Sequence, residues 1–157
     1  MSEIKNGLPA RLQEIVEDFE WCEGREKIEL LIQYAEDMPP LPAHLQGDHE
    51  AMQQVHECMT PVFVKAEVEN GRMKFYFEVP ESSPTVRGYA SILGHGLEGA
   101  TPEEVLSVPG DFYTKMGLAE LLTHQRLNGF GAILAHLKRL ALDEEVISEK
   151  GGVISDQ

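Results

Sequence analysis

Val62-Phe63-Val64-Lys65-Ala66-Glu67-Val68-Glu69-Asn70-Gly71-Arg72-Met73-Lys74-Phe75-Tyr76-Phe77-Glu78-Val79 is the stretch that decides the fold. Val62, Val64, Ala66 and Val68 alternate with Lys65, Glu67 and Glu69, the period of a strand with one buried face. Asn70-Gly71 supplies the positive backbone angles of a tight two-residue turn. The chain then returns with Phe75 and Phe77 on one face and Tyr76 on the other. An isolated hairpin is marginal in water, so this one needs a helix layer or a third strand.

Helical patterns flank it on both sides. Leu12, Ile15, Val16 and Phe19 recur at helical spacing, so a helix is expected over Pro9–Phe19, with proline suited to its first turn. A break at Cys22-Glu23-Gly24 precedes a second helix carrying Ile28, Leu31, Ile32 and Ala35. Pro39-Pro40 and Pro42 end it, because a residue before proline disfavours the helical region. Leu41 to Glu57 lacks periodicity and reads as a long loop, with a short helical turn around Glu50 to Gln54. Loops of that length in a small domain are usually functional. After Ser83-Pro84 a helix is expected through Leu97. Thr101-Pro102-Glu103-Glu104 is a capping box with proline at the first helical position. A short element from Asp111 to Met116 stops at Gly117, and Thr123 caps a last long helix with the stripe Leu127, Phe130, Leu134, Leu137 and Ala141. The order is α+β: N-terminal helices, a small antiparallel sheet centred on the hairpin, and C-terminal helices packed on one face. One domain over residues 1–142 is expected, followed by an acidic tail over 143–157 that frays around Gly151-Gly152.

Composition narrows the function classes. The 157 residues are 42% hydrophobic and 25% charged, an ordinary globular balance for one domain. The net charge of −14 repels nucleic-acid phosphates and anionic membranes, so neither is an expected partner. Two cysteines, Cys22 and Cys58, are too few for a disulfide framework and suit a reducing compartment. No signal-like run opens the chain and no stretch reaches membrane-spanning length, so the expected location is cytoplasmic. No glycine-rich nucleotide loop and no Ser-His-Asp context is present.

Cys58 is the residue with chemistry to offer. It sits where a polar loop gives way to the first hairpin strand, on a segment that can present it to another protein. With it placed there, several motifs resemble the SufE/CsdE family. They are Phe19-Glu20-Trp21-Cys22-Glu23-Gly24-Arg25-Glu26-Lys27 at the helix junction, Met38-Pro39-Pro40-Leu41, and Cys58 followed by Val62-Phe63-Val64. Val86-Arg87-Gly88, Thr101-Pro102-Glu103-Glu104-Val105 and Leu122-Thr123-His124-Gln125-Arg126-Leu127-Asn128-Gly129 follow in the family's order. Together they span Leu12 to Leu142. The sequence departs from the family pattern at Glu57, where glycine is usual, at Met59 and Thr60, and at Ser82.

The resemblance implies an α+β fold of the SufE/IscU type and a protein that is a carrier rather than an enzyme. Cys58 would accept persulfide sulfur from a pyridoxal-phosphate-dependent cysteine desulfurase, stimulate that partner, and pass the sulfur to an iron–sulfur scaffold complex. No cofactor and no metal of its own is implied. Arg126, near the cysteine loop by the same resemblance, is the candidate anion stabiliser. Arg87 leans to structure or partner contact. His56, two residues before the thiol, is a candidate proton acceptor from spacing alone. Glu57 is expected to raise the thiol pKa through its adjacent charge, or to meet a partner's basic group. Cys22 reads as structural. Two other readings stay open: a metal or iron–sulfur scaffold using Asp48, His49, His56 and Cys58, and a SufE-fold adaptor that has lost sulfur transfer, suggested by Glu57 and Ser82.

Overall fold

In the computed structural model the described residues are 4–5 and 7–155, with side chains from 7 to 145. A two-residue pair, β1 (Ile4–Lys5) with β2 (Leu8–Pro9), leads into helix α1 (Ala10–Glu20). Its buried face is Leu12, Ile15, Val16 and Phe19, the stripe read from the sequence. Lys27 closes its C-terminal end, donating from Nζ to the Phe19 and Cys22 carbonyls at 2.7 Å each. Phe19 lies in the last turn of α1, where a cation suits that end of the helix dipole. Helix α2 (Arg25–Glu36) then runs to the prolines.

The segment expected to be loop holds more structure than its periodicity revealed. Two 3₁₀ turns, Ala43–Leu45 and His49–Ala51, precede a short strand, β3 (Gln53–Gln54). It pairs antiparallel with β4 (Phe63–Glu69), which pairs in turn with β5 (Arg72–Glu78), giving the order β3-β4-β5. The hairpin register is the expected one, with Val64 opposite Phe77, Ala66 opposite Phe75 and Val68 opposite Met73. Asn70 and Gly71 take φ values of 54° and 77° in the turn. The other sheet face is not bare. His44 bonds Glu67 at 2.7 Å and meets the Tyr76 ring edge-on, while His49 pairs with Glu78 and stacks on Phe63. The residues 43–51 therefore strap the outer face of the hairpin.

Helix α3 (Pro84–Gly96) is the central element, buried along most of its length between α1, α2, β5 and α5 (His124–Ser155). It gets that close because of two glycines. A Cβ built at Gly88 lies 2.1 Å from the Leu31 carbonyl oxygen, and one at Gly96 lies 2.5 Å from Leu12 Cδ1. Next to Gly88, Arg87 donates from Nε to the Ala35 carbonyl at 3.0 Å and from Nη1 to the Val79 carbonyl at 2.6 Å. Arg87 thus caps α2 and ties it to the end of β5, a structural role. Tyr89 stacks on Phe130 with ring centroids 4.1 Å apart, joining α3 to α5. Between them, α4 (Pro102–Leu106) starts with the expected capping box, and the 3₁₀ turn Phe112–Met116 ends at Gly117. Leu127, Phe130, Leu134, Leu137 and Ala141 are all buried. Helix α5 does not end where the tail was expected to begin, and its helical backbone continues from residue 142 to Ser155.

The two kinds of glycine in α3 predict opposite responses. Gly88→Ala drives a methyl into backbone and should cost about 3 kcal/mol or more in urea denaturation. A Cβ at Gly94 meets Phe77 at an ordinary 3.6 Å, so Gly94→Ala should stabilise by roughly 0.5–1 kcal/mol through helix propensity.

Candidate functional site

The β3–β4 connection carries Cys58. Its base is closed by the Val55 N–H donating to the Val62 carbonyl at 2.9 Å, and both valines are fully buried. Residues 56–61 form the loop above that clamp. The Cys58 N–H turns back to the Val55 carbonyl at 3.3 Å, which points its side chain inward. The residue is 9% exposed. Its sulfur rests on the backbone of α5 at Gly129, where a Cβ would lie only 3.1 Å from Sγ. Met59, the next residue, is 80% exposed, and the Gln125 side-chain amide touches its sulfur.

The thiol borders a cleft of about 250 Å³ formed by three sequence-distant pieces: the Cys58 loop, the start of α3 (Ser82 to Val86) and the start of α5 (Thr123 to Gly129). Hydroxyls line it. Thr60 Oγ1 donates to Ser83 Oγ at 3.3 Å, and Thr123 Oγ1 accepts the Arg126 N–H at 3.3 Å as the α5 cap. Arg126 Nη1 donates to the buried Thr85 Oγ1 at 2.7 Å, which fixes the guanidinium on the cleft wall. Two helix N-termini and one guanidinium therefore border the same small space as the thiol, a positive environment for an anion.

The resting thiol is nonetheless held protonated. Burial raises the Cys58 pKa above the ordinary thiol value, with a backbone hydrogen bond from Thr60 pulling the other way. The expected influence of Glu57 is corrected here: its carboxylate lies 3.5 Å from Arg139 Nη2, and burial rather than that charge raises the thiol. Arg139 also donates to His136 Nδ1 at 3.2 Å, and His136 Nε2 meets Gln53 Oε1 at 2.9 Å. This chain of contacts fastens the loop and β3 to α5. His56 is exposed and does not line the cleft. Ser82 lines the cleft, while Cys22 lies at the α1–α2 junction with its thiol 3.6 Å from the Asp18 carbonyl. Among the described residues no group of three or more His, Cys, Asp or Glu could hold a metal ion. None of their helices is long and apolar enough to cross a membrane.

Residues 13–141 match the SufE family, described as an Fe-S metabolism associated domain. The chain belongs to the SufE family. A SufE-like protein of Mycobacterium tuberculosis is 43% identical over 133 residues, covering 84% of this chain and 92% of its own length. A cysteine desulfuration protein SufE of Plasmodium vivax is 30% identical over 102 residues, covering 64% of this chain and 39% of that longer protein. The solution structure of a hypothetical protein from Thermus thermophilus superposes with a TM-score of 0.75 at 39% identity, covering 87% of this chain and 96% of that one. Membership places the chain in iron–sulfur metabolism and bears out the α+β reading.

Sequence reasoning named Cys58 and Arg126, which the fold brings to one cleft. It missed Thr85 and the Glu57–Arg139–His136 chain, and it carried Gly129 only as a position of the family motif, with no contact to Cys58 assigned. Thr85 and Arg126 are 41 positions apart and Gln53 and His136 are 83 apart, so no local pattern announces them.

Because burial raises its pKa, Cys58 should react with iodoacetamide slowly at neutral pH and speed up only at a pH above that of a free thiol; urea unfolding should erase the difference. Gly129→Ala should push Sγ outward and quicken alkylation of the folded protein. Burial and the Arg139 cation lower the His136 pKa, with Glu57 opposing. The unfolded imidazole therefore takes its proton first, near pH ~6.5. Stability should fall as pH drops below that value, less steeply in His136→Gln, as read by thermal melts.

Proposed function

We propose that this protein is a sulfur acceptor that takes sulfane sulfur from a pyridoxal-phosphate-dependent cysteine desulfurase onto Cys58. The observation that carries the reading is the placement of Cys58: a shielded thiol on a clamped hairpin loop, beside a cleft bordered by Arg126 and two helix N-termini. Its SufE-family context supplies the sulfur chemistry.

The transfer is a thiol–persulfide substitution. The Cys58 thiolate attacks the outer sulfur of the donor persulfide, the donor's S–S bond breaks, and the donor leaves as a thiolate. A new S–S bond on Cys58 conserves the sulfane sulfur, with no net oxidation. Resting burial keeps the thiol protonated and guards a bound persulfide from reductants. Docking that draws the loop off α5 removes the desolvation that raises the pKa, so the nucleophile forms where the donor is waiting. Arg126, held by Thr85, faces the anion formed on Cys58. The scaffold for iron–sulfur assembly then receives the sulfur by the same exchange, and removal of the donor's product stimulates the desulfurase. The protein acts as a carrier, and the carbon–sulfur cleavage belongs to the partner's cofactor.

Intact-protein mass spectrometry after incubation with a cysteine desulfurase and free cysteine tests this directly. Wild type and Cys22→Ser should gain one sulfur that a reductant removes, and Cys58→Ser should gain none. Arg126→Ala should slow the gain without abolishing desulfurase binding. Binding and stimulation without any sulfur gain would instead select the adaptor reading, in which the fold is kept and the transfer lost.

A further inference from the structure

Among the described residues no aspartate or glutamate lines the Cys58 cleft, in a chain that carries 27 of them at a net charge of −14. The acids nearest in sequence are placed elsewhere. Glu57 pairs with Arg139, and Glu81 lines a different groove together with Glu36. The one charged side chain on the cleft wall is the Arg126 guanidinium.

The wall also holds more hydrogen-bond donors than it can use. Thr85 is only 6% exposed, and its Oγ1 accepts from Arg126 at 2.7 Å. Its own O–H finds no acceptor among the described residues, and a buried hydroxyl ordinarily has one. The N–H groups of Thr85 and Val86, in the first turn of α3, likewise have no partner among the described residues. Thr123 Oγ1 accepts the Arg126 N–H and donates to none of the described groups. Donors on two helices, a guanidinium and no acid suit an oxygen-rich anion. A tetrahedral head with three oxygens uses such a set better than a flat carboxylate with two. The space of about 250 Å³ admits a small oxyanion, and the Cys58 thiol borders it.

We propose that the cleft binds thiosulfate, a small dianion carrying a sulfane sulfur, and that Cys58 takes that sulfur from it without a desulfurase. The inference rests on the reading of Cys58 as a sulfur acceptor and adds a second class of donor. The sulfonate oxygens accept from the Thr85 hydroxyl, the α3 N–H groups and Arg126, and the outer sulfur lies toward Cys58. The Cys58 thiolate attacks the outer sulfur, the S–S bond of thiosulfate breaks, and its electron pair leaves on sulfite. A new S–S bond forms on Cys58, and the thiol proton ends on the product as hydrogen sulfite. Two negative charges enter, and two leave as the persulfide anion and hydrogen sulfite. The sulfane sulfur keeps its oxidation state, so no oxidant or reductant takes part. The donors that hold the sulfonate also hold the leaving sulfite, where the charge develops.

The test mixes the reduced full chain with sodium thiosulfate alone and follows intact mass and sulfite release together. One sulfur per chain with an equal amount of sulfite is expected, and neither in Cys58→Ser. The initial rate should saturate with thiosulfate. Inorganic sulfate has the oxyanion head but no sulfur to give, so it should compete. Arg126→Gln should raise the half-saturating thiosulfate concentration about tenfold or more, with its thermal melt retained. Thr85→Val keeps the shape, removes the hydroxyl and should shift it the same way. A rate that climbs linearly, untouched by sulfate and by Arg126→Gln, is a thiol reacting by simple collision and overturns the proposal. Loading by a cysteine desulfurase with free cysteine but not by thiosulfate also overturns it, and leaves the acceptor reading standing. Loading by neither removes both.

Discussion

The close approach of α3 to α2 at Gly88 is the constraint on which the remaining architecture depends. With the Leu31 carbonyl sitting where a side chain would begin, α3 lies against its neighbour's backbone rather than on its side chains. That proximity lets Arg87 reach both the end of α2 and the end of β5. It also sets where α3 begins, and the start of α3 is one of the three walls around Cys58. A larger residue at 88 would move Ser83 and Thr85, and with Thr85 the anchor of Arg126. Core packing and site geometry are therefore one problem in this fold.

The site itself balances two opposed demands on a sulfur atom. Burial disfavours the thiolate, while the helix ends and the guanidinium nearby favour an anion. In the resting arrangement burial prevails. Acidic residues are abundant in the chain, yet the nearest in sequence, Glu57, is engaged by Arg139. The loop's negative neighbour thus serves as a fastening to α5.

What the sequence made legible was whatever local chemistry encodes. Alternation and Asn70-Gly71 gave the hairpin with its register, the Thr101 capping box placed α4, and the stripe from Leu127 to Ala141 oriented α5. The strand β3 was illegible because it is two glutamines long, too short and too polar to carry a period. The strap formed by His44 and His49 escaped for a different reason: its meaning lies in Glu67 and Glu78, 23 and 29 positions away. Cys58 and Arg126 were named as candidates because their residue types and the family pattern marked them. Thr85, which holds Arg126, is ordinary in any local window, and Gly129, although part of a recognised motif, acquires its contact with Cys58 only when α5 meets the loop. Glu57 illustrates the hazard of reading charge from adjacency, since neighbours in sequence point to different partners.

The buried Val55–Val62 clamp beneath the Cys58 loop separates two kinds of selection. Below it, the sheet and its helices answer to stability, and change there is punished by unfolding. Above it, six residues hang from a closed base, and five of them contribute no fully shielded apolar side chain to the core. Substitutions in that loop can therefore alter how the thiol is offered while the rest of the molecule stays folded. On the proposed reading, this gives the glutamate, methionine and threonine around Cys58 a mechanical licence: their contacts with a partner can change without a matching change in the scaffold.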